Sequence, residues 1–475
     1  MYRKLLTIIL IVFLIFSVIQ AAPLVKQDKL TNIDEGDDDD DDDPIDGNDD
    51  IESKEQEYES KGFWQSFEVE SKGKLTVESR VFEEDHDNTT EDIGLGLYSR
   101  LELKITNGPL AMEFRGVSRV NEYDQSRNII YIEEAWLGVD FFIFNLRAGY
   151  QLFNWTATEA FHPADILNSR NFDSNIENFE KLGEPTISLI TNIKSAEFSL
   201  YYMPTYQVPF FQGPSSRLAI FKPPAGSKGG SFLMVDKNGN ISDDDFGDQF
   251  AFRYKQSIAG LDLGIHGVYH TTRDQILIAV NPLTNTISPI FQRVVRAGGT
   301  LQWALDGLIS KAEVGYSKFD KLKNSVTAKY KTPNETGLVD LEATKDHTTI
   351  ALGFEYGWDV FRGGQLTALL EGQHLVGLSK FQRANLSAFQ SDVLIGVRLA
   401  LNDISDKTLL ISSIIDTERK KEFLLNLSYS QRLNDTWSIS LGARRVIAPQ
   451  KGTTPIGLEI LDEANQYYIN LTRSF

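Results

Sequence analysis

Few side chains in this sequence are placed to do covalent chemistry. Six histidines occur in 475 residues, and cysteine is absent. A nucleophile needs a base within hydrogen-bond reach, so His162, His266, His270, His347 and His374 come first. His266 and His270 stand at i and i+4, which on a strand is one face but too far apart to chelate one ion. His347 follows Asp346, a pair that would suit a hydrolytic dyad at a rim. Neither Gly-x-Ser-x-Gly nor His-Glu-x-x-His occurs. The missing cysteine excludes disulfides, thiolate metal sites and a lipidated N-terminal Cys. No metal or other cofactor is expected.

Charge offers a different chemistry. The formal net charge is −20. The stretch 34–61 holds 16 acidic and 2 basic residues, a net of −14, which leaves −6 for the rest. Acidity therefore belongs to one segment around Asp37–Asp43 and not to the fold. No basic face suited to nucleic acid is present.

Beyond that segment, charges recur at every second position. Phe67, Val69, Leu75, Val77 and Val81 alternate with Glu68, Glu70, Lys72, Lys74, Glu78 and Arg80. Leu97, Leu101, Leu103 and Ile105 alternate with Tyr98, Arg100, Glu102 and Lys104. Leu110, Met112 and Phe114 alternate with Glu113 and Arg115. Period two is strand periodicity, with one apolar and one polar face. If the polar faces line a lumen, Arg100, Arg115, Arg119, Arg147, Arg253 and Lys255 supply cations there, and Glu102 and Glu113 supply anions. A charged wall of that kind sets ion preference in a pore. The same charges could also cancel across neighbouring strands. The 128–140 strand is ambiguous, because Glu133 and Glu134 are adjacent and a regular strand turns only one of them inward.

The elements that must position these residues are long strands. They fall near 66–84, 94–107, 110–123, 128–140, 144–155, 186–195, 197–206, 247–258, 261–273, 291–305, 308–320, 347–358, 364–376, 391–402, 407–416, 422–432, 436–447 and 466–475. Short turns such as Asn107–Pro109 and Ala259–Gly260 alternate with long loops at 156–185, 207–246, 274–290, 321–346 and 448–465. An even strand number puts every short turn on one side and every long loop on the other. Ser71–Lys74 could be a hairpin and add a strand, but parity runs through it unbroken. Strands of 10–14 residues match the ~9–11 needed to cross a bilayer when tilted. Aromatics near strand ends, as at Tyr201–Tyr202 and Tyr467–Tyr468, suit interfacial girdles. The expectation is an all-β, transmembrane, antiparallel up-and-down barrel of about 18 strands at 63–475. It follows an export signal at 1–21, with Arg3, Lys4 and an apolar run from Leu5 to Ile19, and a disordered acidic segment at 22–62.

Two stretches carry a resemblance. Tyr467, Ile469, Leu471 and Phe475 resemble the terminal strand of bacterial outer-membrane barrels, from which Arg473 departs. Leu146-Arg147-Ala148-Gly149-Tyr150-Gln151, then Asn154-Trp155, Asp165 and Asn168, looks like a porin-like family. Its members carry Arg-x-Gly-x-Gln, then Trp-Gly, then an Asn-Pro-x-Asp loop. Thr156 replaces the Gly and Ser169 the Pro. The resemblance implies a porin-like outer-membrane channel for small hydrophilic solutes and names none of them; a preference for anions is the expectation from the cationic wall. The resemblance also implies Gram-negative outer-membrane lipid and the barrel-assembly machinery, through Phe475, as partners. A homotrimer is an assembly to test, and nucleic acid is not an expected partner. The loops at 156–185 and 207–246 are those expected to fold into the lumen. The rival classes are a barrel hydrolase and a surface adhesin or anchor that uses loop 207–246 and its Phe210-Phe211 pair.

Overall fold

The computed structural model describes residues 67–83, 90–175, 179–211, 216–218, 228–229, 232–235, 241–242, 246–273, 277–281, 286–320, 338–339, 345–360, 363–449, 456–462 and 464–475. The expected signal at 1–21 and nearly all of the acidic segment and tail before β1 lie outside them. The described residues belong to the unit Lys61–Phe475.

Eighteen wall strands form one sheet. They are β1 (Glu68–Phe82), β2 (Ile93–Asn107), β3 (Leu110–Asn121), β4 (Ile129–Phe141), β5 (Phe144–Gln151) and β6 (Glu184–Ile193). Next come β7 (Ala196–Thr205), β8 (Phe246–Ile258), β9 (Leu261–Thr271), β10 (Arg293–Leu305), β11 (Leu308–Phe319) and β12 (His347–Asp359). The last six are β13 (Gln365–Val376), β14 (Ser391–Leu401), β15 (Lys407–Asp416), β16 (Phe423–Arg432), β17 (Trp437–Ile447) and β18 (Gln466–Ser474). Each pairs antiparallel with its chain neighbours, and β1 pairs with β18, from Lys74↔Ser474 to Phe82↔Gln466. The sheet is therefore closed and has no free edge. β1 passes through Ser71–Lys74 without a turn, as the unbroken parity requires.

The seam shows why the ends belong together. Gly73 and Phe475 exchange both backbone hydrogen bonds, at 2.9 and 3.0 Å. The Phe475 ring fills the space where a side chain at position 73 would stand. Arg473, the exception in the terminal pattern, lies 5.9 Å over the Trp437 ring. Its charge gains an aromatic partner there.

Burial is inverted relative to a soluble protein. Leu352, Ile411 and Ile469, on the outer face, are each more than half exposed. Glu313, Ser188, Ser199 and His270, on the inner face, are almost fully buried. An outward apolar band and an inward polar lining are what a bilayer-spanning barrel requires. No helix among the described residues is long and apolar enough to cross a membrane; the strands make the crossing.

Two features depart from the sequence expectation. The segment at 274–290 is not simply loop. Leu277–Asn281 and Thr286–Phe291 pair as a hairpin within a separate sheet of six short strands from the long loops. These short runs, one holding Pro289, are held by pairing with distant segments, which local periodicity does not report. In β4 the register shifts by one residue opposite Arg115 and Gly116, so that Glu134 pairs Arg115 and Ile132 pairs Gly116. A bulge lets two successive residues face one side. Glu133 reaches Arg100 at 2.9 Å and Glu134 accepts the Leu152 N–H at 3.2 Å. Both carboxylates find lumen-side partners, where a regular strand would have turned one outward.

Candidate functional site

The site is the barrel interior and the loop that crosses it. Its starting point is a backbone constraint at the end of β5. Gly149 has φ +134°, and a Cβ there would run into the Ala135 carbonyl. Only glycine tolerates both the dihedral and the approach. Two residues on, Gln151 donates to the Thr186 carbonyl at 2.9 Å and accepts the Ser188 hydroxyl at 2.8 Å. The Arg-x-Gly-x-Gln run thus locks β5 onto β6 at the mouth of the loop.

Asn168 closes the neck. Its Oδ1 accepts the Phe153 N–H at 2.7 Å, and its Nδ2 donates to the carbonyls of Gln151 at 3.0 Å and Leu182 at 2.9 Å. Asp165 lies between Arg170 and Lys181, each at 2.6 Å. Burial works to raise the pKa of Asp165, but Arg170 and Lys181 outweigh it and hold the carboxyl below its usual range. Beside the neck, Ser169 donates its N–H to Glu184 at 2.9 Å. Glu184 also takes a fork of bonds from Arg273 at 2.7 and 3.0 Å. The underside of the loop is apolar: Phe153, Trp155, Ile166 and Leu167 pack on Tyr201, Met203, Ala251 and Val268 of β7, β8 and β9.

From this neck the loop reaches the far wall. Glu313, on β11, accepts the N–H groups of Ala157 at 2.6 Å, Thr158 at 3.0 Å and Ala164 at 3.1 Å, and the Thr158 hydroxyl at 2.7 Å. Glu371, on β13, accepts those of Glu159 at 2.7 Å, Ala160 at 3.1 Å and Phe161 at 2.7 Å. Glu159 in turn lies 3.3 Å from both Lys311 and Arg398. A loop turned away from water must satisfy its N–H groups, and here two wall carboxylates do so. Part of the next long loop also enters: Ser216 donates its hydroxyl to Asp173 at 2.7 Å, and Leu218 joins the buried apolar cluster that includes Phe161. The expected Phe210-Phe211 pair sits above it, with Phe210 bonded to Arg170 and Phe172 and Phe211 stacked 5.4 Å from Phe172.

The charged side chains expected in the lumen divide into two groups. Arg100 is within 3.2 Å of Glu102 and 2.9 Å of Glu133. Arg115 is 2.8 Å from Glu113 and 3.4 Å from Glu102. Arg119 bridges Glu78 at 3.0 Å and Glu180 at 2.6 Å. These three are paired with carboxylates. Arg147 instead stacks 4.5 Å over Trp136 and donates to the Asn145 side chain at 2.7 Å. Arg253 lies 5.1 Å over Trp155 of the loop. Lys255 stands opposite Glu197 in the β7–β8 register. No ion pair among the described residues includes Arg147, Arg253 or Lys255. Strand parity alone turns Glu313 and Glu371 inward, but nothing in the sequence marks them as the loop's anchors.

Among the described histidines, His374 Nδ1 shares a hydrogen bond with the Ser391 hydroxyl at 2.9 Å, and His162 Nδ1 lies 3.9 Å from Glu313. His347 Nδ1 meets the Lys345 carbonyl at 2.9 Å, and its ring stacks on Phe319 at 5.8 Å. Asp346 accepts the Phe319 N–H at 3.0 Å. His270 takes a bond from Arg273 at 2.8 Å, and His266 lies 5.1 Å from Trp155.

The comparisons concern shape alone. No family model matches the chain, and no curated protein matches it. Among solved structures it is similar to OccK9 (OpdG) of Pseudomonas aeruginosa, at 11% identity and TM-score 0.49, covering 87% of this chain and 99% of that one. It is similar to OccAB1 of Acinetobacter baumannii, at 9% identity and TM-score 0.49, covering 88% and 99%. It is also similar to OccAB3 of Acinetobacter baumannii, at 10% identity and TM-score 0.48, covering 86% and 99%. The barrel itself rests on the strand register given above.

Proposed function

We propose that the protein is a bacterial outer-membrane channel through which small hydrophilic solutes diffuse, with a preference for anions. One observation carries this reading: the loop between β5 and β6 spans the lumen and is fixed to the opposite wall by Glu313 and Glu371. An 18-stranded barrel is too wide for its wall side chains to fill. A loop held across it narrows the passage to a selective cross-section. Arg147, Arg253 and Lys255 supply the cationic side, because carboxylates neutralise Arg100, Arg115 and Arg119. No step requires a nucleophile or a cofactor, and Arg147, Arg253 and Lys255 need only bind solute weakly and release it. Phe475, at the closing strand, is the residue proposed to present the chain to the barrel-assembly machinery.

The test is conductance of the purified, folded protein in a planar bilayer, with a reversal potential across a KCl gradient. Discrete steps with a chloride-leaning reversal potential support the reading. Folded protein that inserts and passes no current overturns it, and a potassium-leaning potential overturns the anion preference.

A further inference from the structure

We infer that the loop-side ends of β14 and β15 hold a divalent cation of the calcium class, bound by Asp392, Asp416 and the side-chain carbonyl of Gln390. Asp392 and Asp416 are direct partners in the β14–β15 register, so their side chains stand together on the inner face. Asp392 is 1% exposed, Asp416 5% and Gln390 0%. Like charges directly opposite on paired strands repel, and a buried carboxylate demands compensation. Yet no ion pair among the described residues includes either one. The nearest base in sequence, Arg419, turns its guanidinium to Glu422 at 2.7 Å and to Glu459.

The carboxylates are held by neutral donors. Asp416 accepts the N–H groups of Glu418 at 2.8 Å and Arg419 at 2.7 Å on one oxygen, and the Gln390 amide at 2.8 Å on the other. Asp392 accepts the Gln390 N–H on its Oδ2. Two buried acceptors are left over, Asp392 Oδ1 and Gln390 Oε1, and neither has a hydrogen-bond partner. The same amide that grips Asp416 through its nitrogen thus carries an orphan oxygen beside the pair.

Three agents could satisfy this group. A water supplies hydrogens but no charge. A proton on Asp392 removes one charge and can donate to the Gln390 oxygen, but it leaves the Asp416 charge unbalanced. A divalent cation balances both charges and takes up the leftover oxygens together. Calcium accepts mixed carboxylate, amide and water ligands in irregular geometry, whereas magnesium requires a near-octahedral set and keeps its waters. Two carboxylates and one neutral oxygen place the affinity in the weak range of extracellular calcium modules, about 10⁻⁴–10⁻³ M.

The test is calorimetric titration of the folded full chain in detergent with CaCl2, wild type against Asp392→Asn/Asp416→Asn. The acidic segment at 34–61 is present in both and cancels in the difference. The variant should bind one calcium ion fewer, or bind it at least about tenfold more weakly. Calcium should raise the temperature at which wild type loses its SDS-resistant form, and should not do so in the variant. Equal calcium binding by the two chains overturns the inference. So does a wild type that ignores calcium while the variant is the more heat-resistant at every calcium level, which identifies a shared proton. If the double variant does not fold, Gln390→Leu asks the same question: it keeps both carboxylates, removes the neutral oxygen together with the amide bond to Asp416, and should bind calcium more weakly than wild type.

Discussion

Glu371 accepts the Phe161 N–H at 2.7 Å although 210 residues separate the two in sequence. With Glu313 this carboxylate holds the far end of the crossing loop chiefly through backbone N–H groups of residues 157–164, while the neck is held by side chains. Hydrogen bonds to charged groups contribute about 1.5–3 kcal/mol each. Glu371→Ala removes three such acceptor contacts and Glu313→Ala four, counting the Thr158 hydroxyl. Each variant should form an SDS-resistant barrel, because strand pairing is untouched, and each should show larger single-channel conductance than wild type. Glu371→Gln keeps an acceptor without the charge and should fall between. Unchanged conductance in both alanine variants would mean that this loop is not the constriction.

A second prediction separates selectivity from stability. Arg147 and Arg253 rest on Trp136 and Trp155, and no ion pair among the described residues includes either. Arg147→Gln/Arg253→Gln should shift the reversal potential toward potassium and leave heat resistance in SDS nearly unchanged. Arg100→Gln/Arg115→Gln instead strands Glu133, which is 7% exposed. Breaking a buried pair costs about 3–5 kcal/mol, so that variant should lose its SDS-resistant form at a lower temperature. If the first variant keeps wild-type selectivity, these two arginines are not the filter.

Backbone geometry gives a third. Gly149→Ala places a methyl against the Ala135 carbonyl at φ +134°, where the obstructing atom is main chain and cannot swing aside. Gly108→Ala also has positive φ, at +54°, but open space around it. The turn variant should cost about 1–2 kcal/mol for the left-handed conformation alone. The Gly149 variant should cost more, lower the SDS-resistance temperature further and loosen the loop mouth. Equal heat resistance of the two would show that β4 yields at Ala135.

Much of this was legible in the sequence because a barrel wall repeats one local rule. Val77, Leu97 and Met112 face out because an apolar residue every second position can do nothing else beside a bilayer. Even the seam could be read from Phe475. The bulge at Glu133–Glu134 could not, since one inserted residue leaves no compositional mark. Glu313 and Glu371 resemble Glu355 or Glu102 in every local respect. Their role exists only because residues 157–164 fold back against them. The Leu277–Asn281 hairpin escaped for the same reason, as its partners come from distant loops. What the sequence conceals here is long-range closure, not local conformation.

The loop neck supplies the last prediction. Asp165 sits 2.6 Å from both Arg170 and Lys181, and its folded pKa lies below its usual value. A depressed carboxyl pKa gives stability that is fully present above the unfolded value, about 3.9 for Asp. That stability is lost as pH falls through the lower, folded value. The neck should therefore stay closed throughout pH 5–8 as far as Asp165 is concerned, and open only under stronger acid. Asp165→Asn removes the charge at every pH and leaves Arg170 and Lys181 facing each other with no anion between them. At pH 7 the variant should be cut within 152–183 by a protease added to the folded protein, while wild type resists. Under acid strong enough to protonate Asp165 in the folded chain, with an acid-active protease, the two should converge. Wild type already cut at pH 6, or an Asp165→Asn chain as resistant as wild type at pH 7, would place the lock of the neck in Asn168 and Glu184 instead.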